Sequence, residues 1–225
     1  MKAMILAAGI GKRMRPLTLT TPKPLLEIAG VPLIEYHVRR LVAAGFSDIV
    51  VNHAWLGDQI EAYLGDGRRF GANIVFSREV DPLETAGGIR KALPLLVSEG
   101  ETSFILVNGD VFTDFPYSSL NKWVDKSPYL VLVPNPPHNP EGDFCLNNGL
   151  LYADRGEKYT FSGVSVLPLE MFADLVEGEA AALGPLLREA IAKGKVYGAV
   201  YDGFWADIGT PERLRQIDDL VKEQK

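Results

Sequence analysis

The chain has 225 residues, 47% of them hydrophobic and 23% charged, which is enough to bury the core of one α/β domain. Its net charge of −6 argues against a nucleic-acid partner, because domains that bind nucleic acids usually present a basic face. No apolar run approaches the roughly 20 residues that span a bilayer, and the single cysteine, Cys145, excludes an intramolecular disulfide. We therefore expect a cytoplasmic protein with no membrane partner.

Short apolar segments alternate with amphipathic ones, which predicts βαβ units and a mostly parallel sheet in an α/β fold. The predicted strands are residues 3–8, 48–52, 73–77, 103–108, 129–133 and 195–201. The predicted helices are residues 32–44, 56–64, 88–96 and 211–222.

The alternation stops between residues 134 and 167. Four prolines between residues 134 and 140 predict a rigid loop, and residues 144–152 and 159–167 indicate two strands joined by a short turn. We interpret the two strands as a small antiparallel insert on one edge of the sheet, beside a ligand cleft.

The most informative segment, LAAGIGKRMRPLTLTTPKPL, begins in the first predicted strand. Gly9 and Gly11 follow that strand, and glycines let backbone N–H groups surround an anion. Lys12 and Arg13 come next, and Lys23 stands between two prolines that stiffen the chain around it. A glycine loop followed by clustered positive charges predicts a polyphosphate site.

Two better-known phosphate loops do not fit this segment. A Walker A run, G-x-x-x-x-G-K-[ST], is absent from the chain. The dinucleotide fingerprint G-x-G-x-x-G is incomplete, because Met14 takes the place of its third glycine and Pro16 interrupts the helix that should follow. A dehydrogenase with a nicotinamide cofactor is therefore a distant alternative.

The same segment resembles the signature of the sugar-nucleotide pyrophosphorylases, which are sugar-1-phosphate nucleotidylyltransferases. Their pattern is L-A-A-G-x-G-T-R-L-x-P-L-T followed by P-K-P-L, and this chain departs from it at Lys12 and Met14. The resemblance implies a Rossmann-like, doubly wound sheet of the nucleotide-diphospho-sugar transferase type. It also implies that Arg13 and Lys23 are catalytic residues that act on a nucleoside triphosphate.

Two aspartates follow predicted strands. The strand at residues 103–108 leads to Asp110, which should emerge beside the Gly9 loop because ligands bind outside the carboxyl ends of parallel strands. Asp207 lies in a W-x-D-I-G-T-P run, in which Thr210 predicts the N-cap of the last helix. Carboxylate oxygens suit Mg²⁺, and the resemblance assigns Mg²⁺ binding to both aspartates.

Two further runs are candidates for base and sugar contacts. On residue content alone, the run LETAGG at residues 83–88 fits an ordinary loop and helix start as well as it fits a base-binding segment. In the family that the chain resembles, a similar L-G-T-A-G run contacts the base. In this sequence Glu84 replaces the first glycine of that run. The run FSGV at residues 161–164 takes the place of a family segment that contacts the sugar. The nucleotide-binding residues expected in total are Ala8, Gly9, Gly11, Lys12, Arg13, Lys23, Thr85, Gly87, Gly88 and Asn108, and the sugar-binding residues are Asn148, Ser162 and Gly163.

Within the family, the runs LETAGGI, YTFSG and WADIGTPERL are most similar to members that act in bacterial cell-wall recycling. This similarity implies UTP and N-acetylmuramate 1-phosphate as substrates. Mannose-1-phosphate guanylyltransferase and glucose-1-phosphate thymidylyl- or uridylyltransferase are alternatives, and a non-catalytic nucleotide-sugar-binding regulatory subunit is a distant one. Some relatives carry a C-terminal β-helix of hexapeptide repeats, which this sequence lacks, so we expect residues 1–225 to form one catalytic domain.

Overall fold

The computed structural model describes residues 1–123 and 127–223. In this part of the chain, nine strands form one mixed sheet, and four more strands form two small two-stranded sheets. The strands are β1 (Ala3–Ala7), β2 (Glu27–Ile28), β3 (Val31–Pro32), β4 (Asp48–His53), β5 (Asn73–Arg78), β6 (Ser103–Asn108), β7 (Val111–Thr113), β8 (Tyr129–Val133), β9 (Phe144–Asn147), β10 (Leu150–Tyr152), β11 (Glu157–Pro168), β12 (Tyr197–Val200) and β13 (Trp205–Asp207). The helices are α1 (Leu33–Ala43), α2 (Gly57–Leu64), α3 (Glu84–Leu96), α4 (Leu183–Ala192) and α5 (Pro211–Glu223).

The main sheet has the order β5-β4-β1-β6-β11-β8-β12-β10-β9. Its first four strands are parallel, and β11 then runs antiparallel to both β6 and β8. The end of the sheet curls back, because β9 pairs with β11 as well as with β10. The small sheet of β7 and β13 holds together the segments that follow β6 and β12.

The chain changes direction across the sheet at β1. From β1 it moves outward to β4 and β5, and it then returns to β6 on the other side of β1. A ligand crevice forms at such a switch point, outside the carboxyl ends of the two strands. Leu6 and Asn108 are register partners there, so the loop after β1 and the turn after β6 lie side by side.

Both faces of the sheet are covered by apolar helix faces. Alternate residues of β1 point to opposite sides, with Ile5 in one core and Met4 in the other. Helices α1 and α2 pack on the Ile5 side, and α3 and α4 pack on the Met4 side. A third, smaller cluster contains Met14 and Leu214, and it fixes α5 beside the loop that follows β1.

The expected α/β fold is confirmed, and most predicted elements are found with ends that shift by one to four residues. The interpretation of residues 159–167 as part of an edge insert was wrong in position, because β11 lies in the middle of the main sheet. Residues 144–152 form two strands instead of one. Asn148 and Gly149 separate them in a tight turn, and both have positive φ, as two-residue hairpin turns require.

One helix was missed and another begins earlier than expected. Helix α4 buries Leu183, Leu187 and Ile191 at a spacing of four residues, which is a helical pattern. Helix α3 begins at Glu84 instead of Gly88, so the small residues of the LETAGG run form its first turn. Among the described residues, no helix has the length and apolar character needed to cross a bilayer.

The tight turn after β6 leads to a prediction about the stability of a variant at Gly109. A Cβ at Gly109 would lie 2.4 Å from the backbone oxygen of Leu6, so Gly109→Ala must push β1 and β6 apart. We expect the free energy of unfolding to fall by about 1–3 kcal/mol, measured by urea denaturation. The control is Gly9→Ala, whose Cβ would meet nothing within 4 Å. Equal stability of the two variants would contradict the close approach.

Candidate active site

The loop after β1 is held open by local contacts. Gly11 has φ +66°, and a Cβ there would lie 2.9 Å from the Thr18 side chain, so both conformation and space favour glycine. The Thr18 hydroxyl donates to the Gly11 carbonyl at 2.8 Å. Met14 anchors the loop in the third core, which leaves the side chains of Lys12 and Arg13 exposed.

Lys23 reaches the loop after β1 from a short 3₁₀ turn, Lys23–Leu25. Pro22 precedes the lysine and Pro24 follows it. Its ammonium group contacts the carboxylate of Asp110 at 2.6 Å. The Lys23 side chain is 11% exposed and that of Asp110 is 40% exposed, so the lysine is the more firmly held partner. The turn after β6 and the proline-flanked lysine therefore meet. Asp110 also lies in the same cavity lining as Gly9 and Gly11, which is the position that the sequence predicted for it.

Asp207 is brought beside the backbone of Asp110 because β13 pairs with β7, which begins one residue after Asp110. In the β7–β13 ladder Asp207 stands opposite Val111, and the Ile208 N–H donates to the Asp110 carbonyl at 2.7 Å. The Asp207 carboxylate is paired with the guanidinium of Arg213 and lies 2.9 Å from Nε2 of His138.

The first turn of α5 supplies the arginine that holds Asp207. The Arg213 N–H donates to the Thr210 hydroxyl at 3.3 Å, so the predicted N-cap is confirmed. A Cβ at Gly209 would lie 2.6 Å from the Arg213 guanidinium, so the glycine leaves room for the ion pair. The aspartate is thus paired with a cation whose backbone N–H is held by the helix N-cap.

A cavity of about 390 Å³ opens at the switch point. We call it the first cavity. Nine residues that the sequence predicted as site residues line it, namely Ala8, Gly9, Gly11, Lys12, Arg13, Lys23, Thr85, Asn108 and Asp110. Residues from the loop after β1, the turn after β6 and the start of α3 are therefore brought together.

Two polar residues in the first cavity were missed. Asn52 accepts from the Ala7 N–H at 2.9 Å and donates to Glu79 at 2.6 Å, and Glu79 also accepts from the Leu83 N–H at 3.0 Å. Both side chains are buried and line the cavity. They lie at the carboxyl ends of β4 and β5, so the strand-end rule that predicted Asp110 would also have found them.

The glycines of α3 act as spacers beneath this cavity. The Gly87 N–H already donates to the Ala181 carbonyl at 3.1 Å. A Cβ at Gly88 would lie 2.7 Å from the Glu79 carboxylate, so Gly88 leaves room for that side chain. Both glycines are buried, whereas Thr85 lines the cavity itself.

The three predicted sugar-binding residues have different positions. Gly163 lies against Asn108, since its Cβ would be 2.7 Å from the Asn108 amide nitrogen. The Ser162 hydroxyl accepts from the Val164 N–H at 3.1 Å, and its carbonyl accepts from the Trp205 indole at 2.8 Å. Asn148 is not brought to the site, because it lies in the exposed turn between β9 and β10.

A second cavity, of about 680 Å³, adjoins the first. The two share Glu84, Thr85 and Asn108, so they are two compartments of one cleft. The other residues that line the second cavity are Gly142, Asp143, Phe144, Phe161, Ala182, Leu183, Gly184, Leu187 and Arg188.

The pair Asp110 and Asp207 fits Mg²⁺, although no group of three or more His, Cys, Asp or Glu residues suited to a metal occurs in the described chain. In phosphate-transfer sites Mg²⁺ is usually held by one or two carboxylates, with phosphate oxygens and water completing the shell. Here the two carboxylates are on neighbouring backbone segments, and each is paired with a cation, Asp110 with Lys23 and Asp207 with Arg213.

The comparisons with known proteins agree with this architecture. The model of the nucleotidyl transferase family matches residues 2–146, and the chain belongs to this family. It is 50% identical, over 98% of each chain, to the N-acetylmuramate alpha-1-phosphate uridylyltransferase of Neisseria meningitidis serogroup B. It is 31% identical to the mannose-1-phosphate guanyltransferase of Gibberella zeae, over 94% of this chain and 62% of that one.

Among solved structures, HddC from Yersinia pseudotuberculosis complexed with GMP-PN superposes with a TM-score of 0.79. The match covers 98% of this chain and 99% of that chain at 20% identity. The doubly wound fold of the nucleotide-diphospho-sugar transferases is thereby confirmed.

Proposed function

We propose that this protein transfers a uridylyl group from UTP to N-acetylmuramate 1-phosphate, which yields UDP-N-acetylmuramate and pyrophosphate. The observation that carries the proposal is the 50% identity, over nearly the full length of both chains, to a protein named for this reaction. The two adjoining cavities support it, because the reaction joins a nucleotide to a sugar phosphate. We further propose that the reaction belongs to cytoplasmic cell-wall recycling.

The first cavity would hold the nucleotide. Lys12 and Arg13 are exposed there and, among the described residues, have no hydrogen-bond or ion-pair partner. They are free to contact the β- and γ-phosphates, and their charge would stabilise the pyrophosphate as it leaves. The buried amide of Asn52 and carboxylate of Glu79 also line this cavity, and they would offer hydrogen-bonding groups to a base edge.

Lys23 would act between the two substrates. Its ammonium group lies at the first cavity and is held 2.6 Å from Asp110. From there it can contact the α-phosphate and the incoming sugar phosphate, whose mutual repulsion opposes their approach. Asp110 and Asp207 would hold Mg²⁺, which when bound would offset more of that negative charge.

The chain needs no base to start this reaction. The phosphate of a sugar 1-phosphate is already ionised at neutral pH, so its oxygen can attack the α-phosphorus directly while the α–β phosphoanhydride bond breaks. The residues of the cleft therefore have to align two anions and stabilise their charge. A single in-line displacement of this kind inverts the configuration at phosphorus.

The proposal is tested by measuring pyrophosphate release for each pairing of common nucleoside triphosphates with a panel of sugar 1-phosphates. We expect the highest kcat/KM with UTP and N-acetylmuramate 1-phosphate in the presence of Mg²⁺. The comparison sugars are N-acetylglucosamine, glucose and mannose 1-phosphates. A clear preference for GTP with mannose 1-phosphate would overturn the proposal in favour of a guanylyltransferase.

Removal of the Lys23 charge should slow the chemical step. Lys23→Ala takes away a positioned cation, so we expect kcat to fall by about 10²–10³-fold, as loss of one electrostatic stabiliser typically does. The matched control is Lys222→Ala, which removes another lysine paired with an aspartate at 2.6 Å but lies on α5 outside both cavities. A kcat for Lys23→Ala close to that of the control would show that the assigned role is incorrect.

The two aspartates should behave as one unit. Asp110→Asn and Asp207→Asn should each lower kcat by more than about 10²-fold and raise the Mg²⁺ concentration needed for half-maximal rate. The double variant should lose little more, because residues that act together are not additive. Asp202→Asn, an exposed neighbour, is the control. Independent, multiplicative losses would argue against a shared metal ion.

A further inference from the structure

Helix α4 places an arginine at the second cavity. Arg188 is the one lysine or arginine among the residues that line this cavity. It is exposed, and within residues 1–123 and 127–223 its guanidinium has no hydrogen-bond or ion-pair partner. Other exposed arginines of the chain are held in ion pairs, such as Arg39 with Glu35 and Arg78 with Glu61.

The position of the Arg188 guanidinium follows from the helix. Helical side chains point toward the N-terminus of their helix, so Arg188 extends along the first turn of α4. A Cβ at Gly184 would lie 3.3 Å from one guanidinium nitrogen, which places the group over Gly184. Leu183 and Leu187 are buried in the core, and they hold this helix face in place.

The acidic residues of the second cavity are arranged differently. The Asp143 carboxylate accepts hydrogen bonds from the Phe161 N–H of β11 at 2.8 Å and from the Asn139 amide of its own loop at 3.2 Å, so its hydrogen bonds are made within the protein. Glu84 belongs to the part of the wall that is shared with the first cavity. Neither carboxylate forms an ion pair with Arg188, which leaves the arginine as an unmatched positive charge at the cavity.

We infer that Arg188 binds a carboxylate on the sugar substrate and is a specificity-determining residue. The inference rests on the proposed function, since N-acetylmuramate differs from N-acetylglucosamine by a lactyl ether that ends in a carboxylate. The planar fork of a guanidinium matches a carboxylate with two parallel hydrogen bonds. A cavity of about 680 Å³ is within the usual range for small-molecule sites and leaves room for the lactyl branch.

Arg188 favours acidic sugars because it attracts their carboxylate, and it does not repel neutral sugars. A neutral sugar leaves the exposed guanidinium in contact with water, so its binding loses nothing through Arg188. An acidic sugar gains a charge-assisted pair of hydrogen bonds, and selectivity is the difference between the two. Because the group is exposed and screened, we expect a discrimination of about 10- to 100-fold and no absolute exclusion of neutral sugars.

The test compares two substrates that differ in one charge, N-acetylmuramate 1-phosphate and its lactyl carboxamide, with UTP and Mg²⁺ at saturation. The measured quantity is the ratio of their kcat/KM values. For Arg188→Gln we expect this acid-to-amide ratio to fall about 10- to 100-fold from that of the unmodified protein. Arg188→Lys keeps the charge without the fork and should give an intermediate ratio.

The control is Lys193→Gln, which removes a positive charge just beyond the end of the same helix, outside the cavity. It should keep the acid-to-amide ratio of the unmodified protein. A general loss of helix stability would lower kcat/KM for both substrates equally and would leave that ratio unchanged. An unchanged ratio in Arg188→Gln and Arg188→Lys, with the acid still turned over, would overturn this inference alone. Failure of the unmodified protein to use N-acetylmuramate 1-phosphate would overturn the proposed function and this inference with it.

Discussion

The site depends on the close parallel approach of β1 and β6. The Gly109 N–H donates to the Leu6 carbonyl at 2.9 Å, and the space between the two backbones has no room for a Cβ. This contact prolongs the ladder past the last residue of β6 and sets the direction in which the chain leaves the sheet. The glycine loop and Asp110 are side by side because of it, and β13 then pairs beyond that turn to bring Asp207 alongside. A shift in this one contact would move the glycine loop relative to both aspartates.

Four charged residues at or beside the first cavity form two groups. Asp110 and Asp207 are each paired with a cation of the protein, whereas Lys12 and Arg13 are exposed and have no partner among the described residues. The protein carries a net charge of −6, so acidic groups outnumber basic ones, and the cations without partners contrast with this excess of negative charge. Such cations keep their full attraction for a polyanion, because binding does not first have to break an internal ion pair. The paired carboxylates are held in fixed orientations, which suits groups that would share one metal ion.

The parts of the site that were predicted from sequence are those built from contiguous residues. The loop from Ala8 to Arg13 and the strand-end Asp110 have local signals in glycine spacing and in the end of an apolar run. Strand order has no such signal, since it results from pairing between distant segments. This is why β11 was expected at an edge and lies in the middle of the sheet. Asn52 and Glu79 were missed although they lie at strand ends, because their place in the cavity also depends on β4 lying beside β1 and β5 beside β4.

The two cavities also differ in whether they are built from contiguous residues or from distant segments of the chain. The first is lined mainly by the loop after β1 and by the turn after β6, and both are recognisable as short runs in the sequence. The second is built from the start of α4, the strand β11 and the loop before β9, which meet only in the folded chain. Substitutions on α4 can change the second cavity without moving the turns that hold Lys23 and Asp110. A fold arranged in this way can keep one phosphate chemistry while the residues that line the second cavity, with Arg188 among them, vary independently.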